Sequence, residues 1–184
     1  MRYTTLFIIC GIMALLGSLF LAVQQEWILI RMPQANNAPS SPGIAKIKKP
    51  ITIHFWHDAR WHTEKQDILW SGNDADNLYS LVTCWLNTLD AEEITAKKVI
   101  LQDATLSPSS TEAYLSFDRN PFQQKWSTYE KWIWVEGLLK TVREQGLPIK
   151  NIYFLVHHKP LVDRHLDTSH SWPIAGFLGQ SKSK

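Results

Sequence analysis

The histidines are the first residues to test for chemistry, because imidazole binds metal ions and transfers protons near neutral pH. They form an early cluster of His54, His57 and His62 and a late one of His157, His158, His165 and His170. In a strand, residues three apart or adjacent point to opposite faces, so neither His54 with His57 nor His157 with His158 can jointly hold one ion. The spacing matches no zinc signature, and we predict no metal and no other cofactor.

The sequence gives equally little support for covalent or acid/base catalysis. Ser, His and Asp all occur, but no Gly-x-Ser-x-Gly elbow presents a nucleophile, and no glycine-rich loop follows a strand to hold a nucleotide. Cys84 is the lone thiol beyond Cys10, and a buried inert cysteine explains it. Glu92 and Glu93 fit a solvated helix end. We therefore expect a protein that is not an enzyme, with a metal-dependent enzyme as the least favoured hypothesis.

The nine tryptophans are the most unusual feature. On a helix at about 100° per residue, one apolar stripe contains Trp132, Val135, Leu138, Leu139 and Val142. Trp134 borders this stripe, whereas Ile133 lies roughly opposite it, on the side of Glu136 and Lys140. Because tryptophan is enriched where interfaces concentrate their energy, we predict an exposed interaction surface of Trp126, Ile133 and Trp134. The alternative is that the tail around Trp172 covers this flank.

The N-terminal part of the chain predicts attachment to a membrane. After a short head at 1–5, residues 6–25 form an uncharged, mainly apolar run, and about 20 residues of helix cross a bilayer. A cleavable signal peptide is the competing interpretation. However, its apolar region usually spans about 7–15 residues, and Phe20-Leu21-Ala22 lacks the first small residue of a cleavage site. We expect a single-pass signal anchor with the C-terminal domain outside the cytoplasm.

By composition, the rest of the chain divides into a linker, a domain and a C-terminal tail. Residues 26–50 are proline-rich and predict a flexible linker, while residues 175–184 predict a disordered tail. From residue 51 onward, 14 Lys and Arg stand against 16 Asp and Glu, a net charge of −2. This balance argues against a nucleic-acid partner.

Residues 51–174 show the periodicity of one α+β domain. Strands are predicted at 51–57, 66–70, 98–106, 112–118 and 151–157 from alternating apolar residues. Helices are predicted at about 74–89 and 127–145, the second with Ser127 and Glu130 as a capping box. The expected fold has two helices packed on a small mixed sheet in the order β-β-α-β-β-α-β.

The ordered motifs resemble those of the GerMN domain, a family named for a spore-germination and sporulation protein. The resemblance covers residues 51–174 and rests on the AYLS segment at 113–116, on Glu130, and on LLKTV at 138–142 with Thr141. His157 and His158 stand where the family has an Asp-Gly turn. The closing stretch at 164–173 contributes His165, Leu166, Asp167 and Pro173.

This resemblance implies an extracytoplasmic, for example periplasmic, domain that acts in complexes of the cell envelope without a catalytic centre. The leading hypothesis is therefore a membrane-anchored protein-interaction module whose partner is another envelope protein. The alternative is an accessory protein that binds or processes peptidoglycan, because tryptophan rings can stack on sugars.

Overall fold

A computed structural model describes residues 46–176 of the chain. The strands are β1 (Ile47–His57), β2 (Arg60–Trp70), β3 (Leu101–Leu106), β4 (Glu112–Phe117), β5 (Asn151–Val156), β6 (Lys159–Pro160) and β7 (Trp172–Pro173). The helices are α1 (Asp74–Ala91) and α2 (Thr128–Arg143). The predicted order is confirmed, with two short strands added at its end.

The first two strands form a separate antiparallel hairpin. β1 pairs with β2 from Ile47↔Trp70 to His57↔Arg60, and a two-residue turn of Asp58 and Ala59 joins them. Both turn residues have positive φ, at 48° and 58°, as a type I′ turn requires. Because β1 begins at Ile47, residues 47–50 belong to the domain, and the predicted linker boundary at residue 50 was four residues too late.

The other five strands form one mixed sheet. β3 pairs antiparallel with β4, β4 pairs parallel with β5, and β6 and β7 each pair antiparallel with β5. Helix α2 lies between β4 and β5 in the sequence. Two parallel strands need a long crossover connection of this kind, which is usually a helix. The α+β class with two helices is confirmed, but there are two sheets because the hairpin does not join the mixed sheet.

Each helix contacts both sheets. From α1, the indole Nε1 of Trp85 donates to the His54 carbonyl of β1 at 2.8 Å, and Tyr79 donates to the Leu101 carbonyl of β3 at 3.3 Å. From α2, Trp134 contacts Phe117 of β4 with ring centroids 6.2 Å apart. The core lies between the helices and the inner sheet faces, and its largest fully buried side chains include Trp85, Phe117 and Phe154.

Local sequence explains where the helices begin. Asn73 caps α1 by accepting from the backbone N–H groups of Ala75 and Asp76. Ser127 caps α2, and the predicted capping box with Glu130 is present. These caps bind N–H groups that have no partner within the helix.

The end of the described chain is held against α2. The Arg143 guanidinium donates to the carbonyls of Ile174 and Ala175, each at 3.0 Å. The predicted disordered tail therefore starts too early at residue 175, and residues 177–184 lie outside the described part. The predicted head, membrane anchor and most of the linker also lie outside it. Among residues 46–176, no helix has the length and apolar character needed to span a bilayer.

Candidate functional site

Helix α2 runs along the edge of β1 that no strand occupies. Thr141 Oγ1 accepts from the His54 backbone N–H at 3.0 Å, while Trp85 Nε1 supplies the donor for the His54 carbonyl. Gly137 makes this approach possible, since a Cβ added there would lie 3.1 Å from the His54 carbonyl oxygen. Two side chains thus satisfy the backbone of a strand edge that would otherwise lack partners.

A pocket of about 300 Å³ opens where α2 and the end of β1 separate. Its apolar lining includes Phe55 and Trp56 from β1, Trp85 and Leu89 from α1, and Trp126, Ile133 and Trp134 at the start of α2. The hairpin turn closes one side. The pocket therefore brings together segments near residues 56, 90 and 130 that are far apart in the chain.

The predicted interaction surface needs correction. Ile133 and Trp134 are each only 5% exposed, and Trp126 is half-buried. Trp134 packs against Trp85 and Phe122, with ring centroids 4.7 and 5.5 Å away. Ile133 lines the pocket together with residues of the hairpin end, whereas Trp172 packs 6.5 Å from Phe154 on the mixed sheet. The three predicted residues do come together, but as the lining of a cavity.

Polar groups of α2 and β1 lie close to this pocket. The Trp134 Nε1 is buried and has no hydrogen-bond partner among the described residues. In an antiparallel pair, residues two apart direct their backbone groups to the same edge. Because the N–H and C=O of His54 bond to side chains of α2 and α1 at the open edge of β1, those of Trp56 point to that edge too. The open edge of β1 therefore lies beside the apolar walls of the pocket.

Carboxylates surround the mouth of the pocket. Asp58, Glu93 and Glu130 line it and are all exposed, and His57 Nε2 lies 3.4 Å from Asp58 Oδ1. No Lys or Arg among the described residues lines it. The rim is therefore acidic.

The rim also contains unusual backbone. Asp58, Ala59 and Glu93 have φ of 48°, 58° and 53°, and they are three of the six described non-glycine residues with positive φ. Such conformations cost on the order of 1 kcal/mol or more and tend to cluster at functional sites. At Asp58 and Ala59 the positive φ also belongs to the hairpin turn.

Glu130 is held as a carboxylate rather than poised for proton transfer. The Ser127 backbone N–H donates to Glu130 Oε2 at 2.7 Å and the Ser127 hydroxyl donates at 2.8 Å. These bonds, the backbone one most, lower the pKa of the Glu130 carboxyl. Glu130 can accept hydrogen bonds or attract a cation in this state, but it is a poor general acid.

The other motif residues of the resemblance hold the fold together. Thr141 joins α2 to β1, Leu166 is buried in the core, and Pro173 in β7 pairs with Asn151. Asp167 Oδ1 accepts from the Ser169 hydroxyl and backbone N–H, and these bonds with His170 lower the pKa of the Asp167 carboxyl. None of these residues lines the pocket.

His165 belongs to a second cluster around a buried ion pair. Lys131 Nζ lies 2.7 Å from Asp163 Oδ2 and 3.2 Å from His165 Nδ1, and the Lys131 and Asp163 side chains are 3% and 6% exposed. Burial raises the pKa of the Asp163 carboxyl, but hydrogen bonds from Lys131 and from the backbone of His165 and Leu166 outweigh it and leave that pKa lowered. The cluster joins α2 to the closing stretch.

The turn at His157 and His158 keeps a glycine-like conformation without glycine. Their φ angles are 50° and 62°, and the turn joins β5 to β6. His158 N–H donates to the Ser116 hydroxyl at 2.9 Å. Two consecutive residues with positive φ are what a type I′ turn requires.

Residues 46–176 contain neither a cluster of metal ligands nor an activated thiol. No group of three His, Cys, Asp or Glu among residues 46–176 is arranged to hold an ion. Cys84 donates to Gln66 Oε1 at 2.9 Å, and burial, with a smaller effect of the Glu64 carboxylate, raises the pKa of its thiol. A raised pKa disfavours the reactive thiolate.

Comparison with protein-family models, curated proteins and solved structures finds no match to this chain. Its function has to be inferred from the geometry of the pocket.

Sequence reasoning missed the residues that shape this pocket. Asp58 and Ala59 carry no strong turn signal, and Glu93 was assigned to an ordinary helix end. Gly137 was not singled out, although a glycine in the middle of an apolar helix is a sign of close packing.

Proposed function

We propose that this chain is a membrane-anchored, non-catalytic protein-interaction module that takes a segment of an envelope protein into the pocket between β1 and α2. The observation that carries the proposal is the pocket of about 300 Å³ lined by the end of β1 and by α2. Its walls are apolar and aromatic, and it lies at the edge of β1 that no strand occupies.

These groups suit a polypeptide better than most small molecules. A peptide carries both a donor and an acceptor for the outward-pointing backbone groups of Trp56. Recognition at a strand edge uses main-chain bonds for affinity and pockets for specificity. At about 300 Å³, the cavity lies at the small end of ligand pockets, which suits one or two side chains.

The wider assignment, a GerMN-like domain outside the cytoplasm, rests on the resemblance and the N-terminal run. It is supported by the order of strands and helices, by the positive φ at His157 and His158, and by the buried position of Leu166. Attachment through residues 6–25 is supported by their uncharged, apolar sequence.

Photocrosslinking tests the pocket directly. Benzoylphenylalanine placed at Trp126 in the full-length, membrane-bound chain is expected to crosslink one protein partner. The matched control is Tyr129, which lies three residues further on, is 59% exposed and does not line the pocket. The adduct should be lost in Glu93→Lys and kept in Glu92→Lys, a neighbouring exposed position outside the pocket.

Other outcomes would contradict the proposal. Equal crosslinking from Trp126 and Tyr129 would place the partner elsewhere. Co-sedimentation of the chain with purified peptidoglycan, abolished by Trp126→Ala, would favour the glycan-binding alternative, in which Trp126 stacks on a sugar ring. A C-terminal reporter that is active only in the cytoplasm would refute the proposed location.

A further inference from the structure

The charges around the pocket define its occupant more narrowly. We infer that the partner inserts a positively charged side chain, lysine or arginine, between the pocket tryptophans. This inference rests on the proposed function, since it names the chemistry of the segment that the same pocket receives.

The first argument is the acidic rim. Asp58, Glu93 and Glu130 line the pocket, and no Lys or Arg of the described chain does so. Three basic residues are next in sequence to lining residues: Arg60 donates its Nε–H to His62 at 3.1 Å, Lys131 is paired with Asp163, and Lys125 is exposed. His57 is the one lining residue able to carry positive charge, and it lies beside Asp58. The lining therefore holds three carboxylates against at most one cation.

The second argument is the orientation of the two helices. The C-terminal end of α1 borders the pocket through Leu89 and Glu93, and its last turn contains no basic residue that would offset the negative pole of the helix dipole. Lys98, from outside the helix, lies 3.8 Å from Asp90 Oδ2 in that turn. The N-terminal end of α2 presents the opposite pole, but Glu130 in its first turn offsets it. The two helix poles therefore oppose each other, and the rim carboxylates decide the sign of the potential at the pocket.

The third argument is the aromatic lining. Trp56, Trp126 and Trp134 line the same cavity, and a cation within about 6 Å of an indole face is attracted by the ring quadrupole. The hairpin already shows this chemistry nearby, where Lys140 Nζ lies 5.5 Å from the centroid of the Trp61 ring. Apolar walls also suit the aliphatic stem of a lysine or arginine side chain.

Two peptides that differ only in charge test the inference. The full-length chain, labelled at its indole nitrogens, is titrated with acetyl-Gly-Arg-Gly-amide and with the same peptide containing citrulline, the neutral isostere of arginine. NMR shifts of the Trp126 and Trp134 indoles report binding. We expect the arginine peptide to bind about fivefold more tightly than the citrulline peptide.

Variants identify the source of that preference. Asp58→Asn with Glu93→Gln should reduce it to below about twofold, and asparagine tolerates the positive φ at residue 58. Glu92→Gln, which removes an exposed charge outside the pocket, should leave the preference unchanged. Deleting residues 177–184 should not shift the two indole signals; a shift would make the chain's own Lys182 and Lys184 the occupant and overturn the inference.

The remaining outcomes separate the inference from the proposed function. Equal binding of both peptides at the indoles would overturn the charge preference and leave the peptide-binding pocket standing. A preference that survives in the Asp58→Asn, Glu93→Gln chain would also overturn it. Binding of neither peptide would refute the proposed function itself.

Discussion

The buried ion pair between Lys131 and Asp163 gives the sharpest prediction about stability. In Lys131→Met the side-chain length and much of the packing remain, but the ammonium group 2.7 Å from Asp163 Oδ2 is lost. The Asp163 carboxylate, whose side chain is 6% exposed, then has no counterion. An unpaired buried charge of this kind is strongly destabilising.

The structure places the expected loss of stability near the lower end of the range for broken buried ion pairs. Removing one partner of a buried pair costs about 3–5 kcal/mol. Asp163 Oδ1 still accepts from the backbone N–H groups of His165 and Leu166, at 2.8 and 3.1 Å, and a polar pocket of about 400 Å³ beside the pair admits water. We therefore expect a loss of about 3 kcal/mol at pH 7.

The loss should depend on pH in a defined direction. The pKa of Asp163 is lowered by folding, so its stabilisation is complete above the unfolded value of about 3.9 and disappears as pH falls through the folded value. In Lys131→Met the partner that lowers this pKa is absent. The stability difference between the two chains should therefore shrink as pH falls below about 4.

Urea unfolding of the full-length chain, followed by tryptophan fluorescence at several pH values, measures this difference. Lys125→Met is the control, because Lys125 is exposed and its loss should change stability by less than about 0.5 kcal/mol. Adding Asp163→Asn to Lys131→Met should restore about 1–2 kcal/mol, because the buried charge is removed. Equal stability of the Lys131→Met and Lys125→Met chains at pH 7, or a difference independent of pH, would refute the reasoning.

Three further predictions concern the contact between β1 and α2, each measured as the free energy of unfolding. Thr141→Val leaves the buried His54 N–H without an acceptor and should lower the free energy of unfolding by about 2 kcal/mol. Thr141→Ser keeps the hydroxyl and should lower it by about 1 kcal/mol. Equal losses in the two variants would exclude the hydrogen bond as the cause. Gly137→Val places a larger side chain against the His54 carbonyl and should lower the free energy of unfolding by about 2–3 kcal/mol. An unchanged free energy of unfolding would show that β1 shifts to make room for the side chain. Ala59→Gly relieves a positive φ of 58° next to Asp58 and should stabilise the hairpin by about 1 kcal/mol; destabilisation would contradict the assigned turn.

Most helices and strands could be predicted because their signals are local. The spacing of Leu78, Leu81, Val82 and Trp85 predicted α1, and all four residues are buried. Ser127 and Glu130 predicted the start of α2 through a capping box that depends only on residues three apart. The hairpin turn was missed because Asp58 and Ala59 adopt positive φ without the glycine that normally marks it.

The sequence by itself determined which segments are helical or extended, since periodicity and capping act over a few residues. Only the tertiary structure decided what surrounds them. A helical wheel assumes one buried face, and it placed Ile133 in solvent. However, α2 is enclosed by the hairpin on one side and the mixed sheet on the other, through contacts such as His54 to Thr141 that span 87 residues. The same long-range packing, which leaves a gap beyond Gly137, turned a predicted surface patch into a pocket.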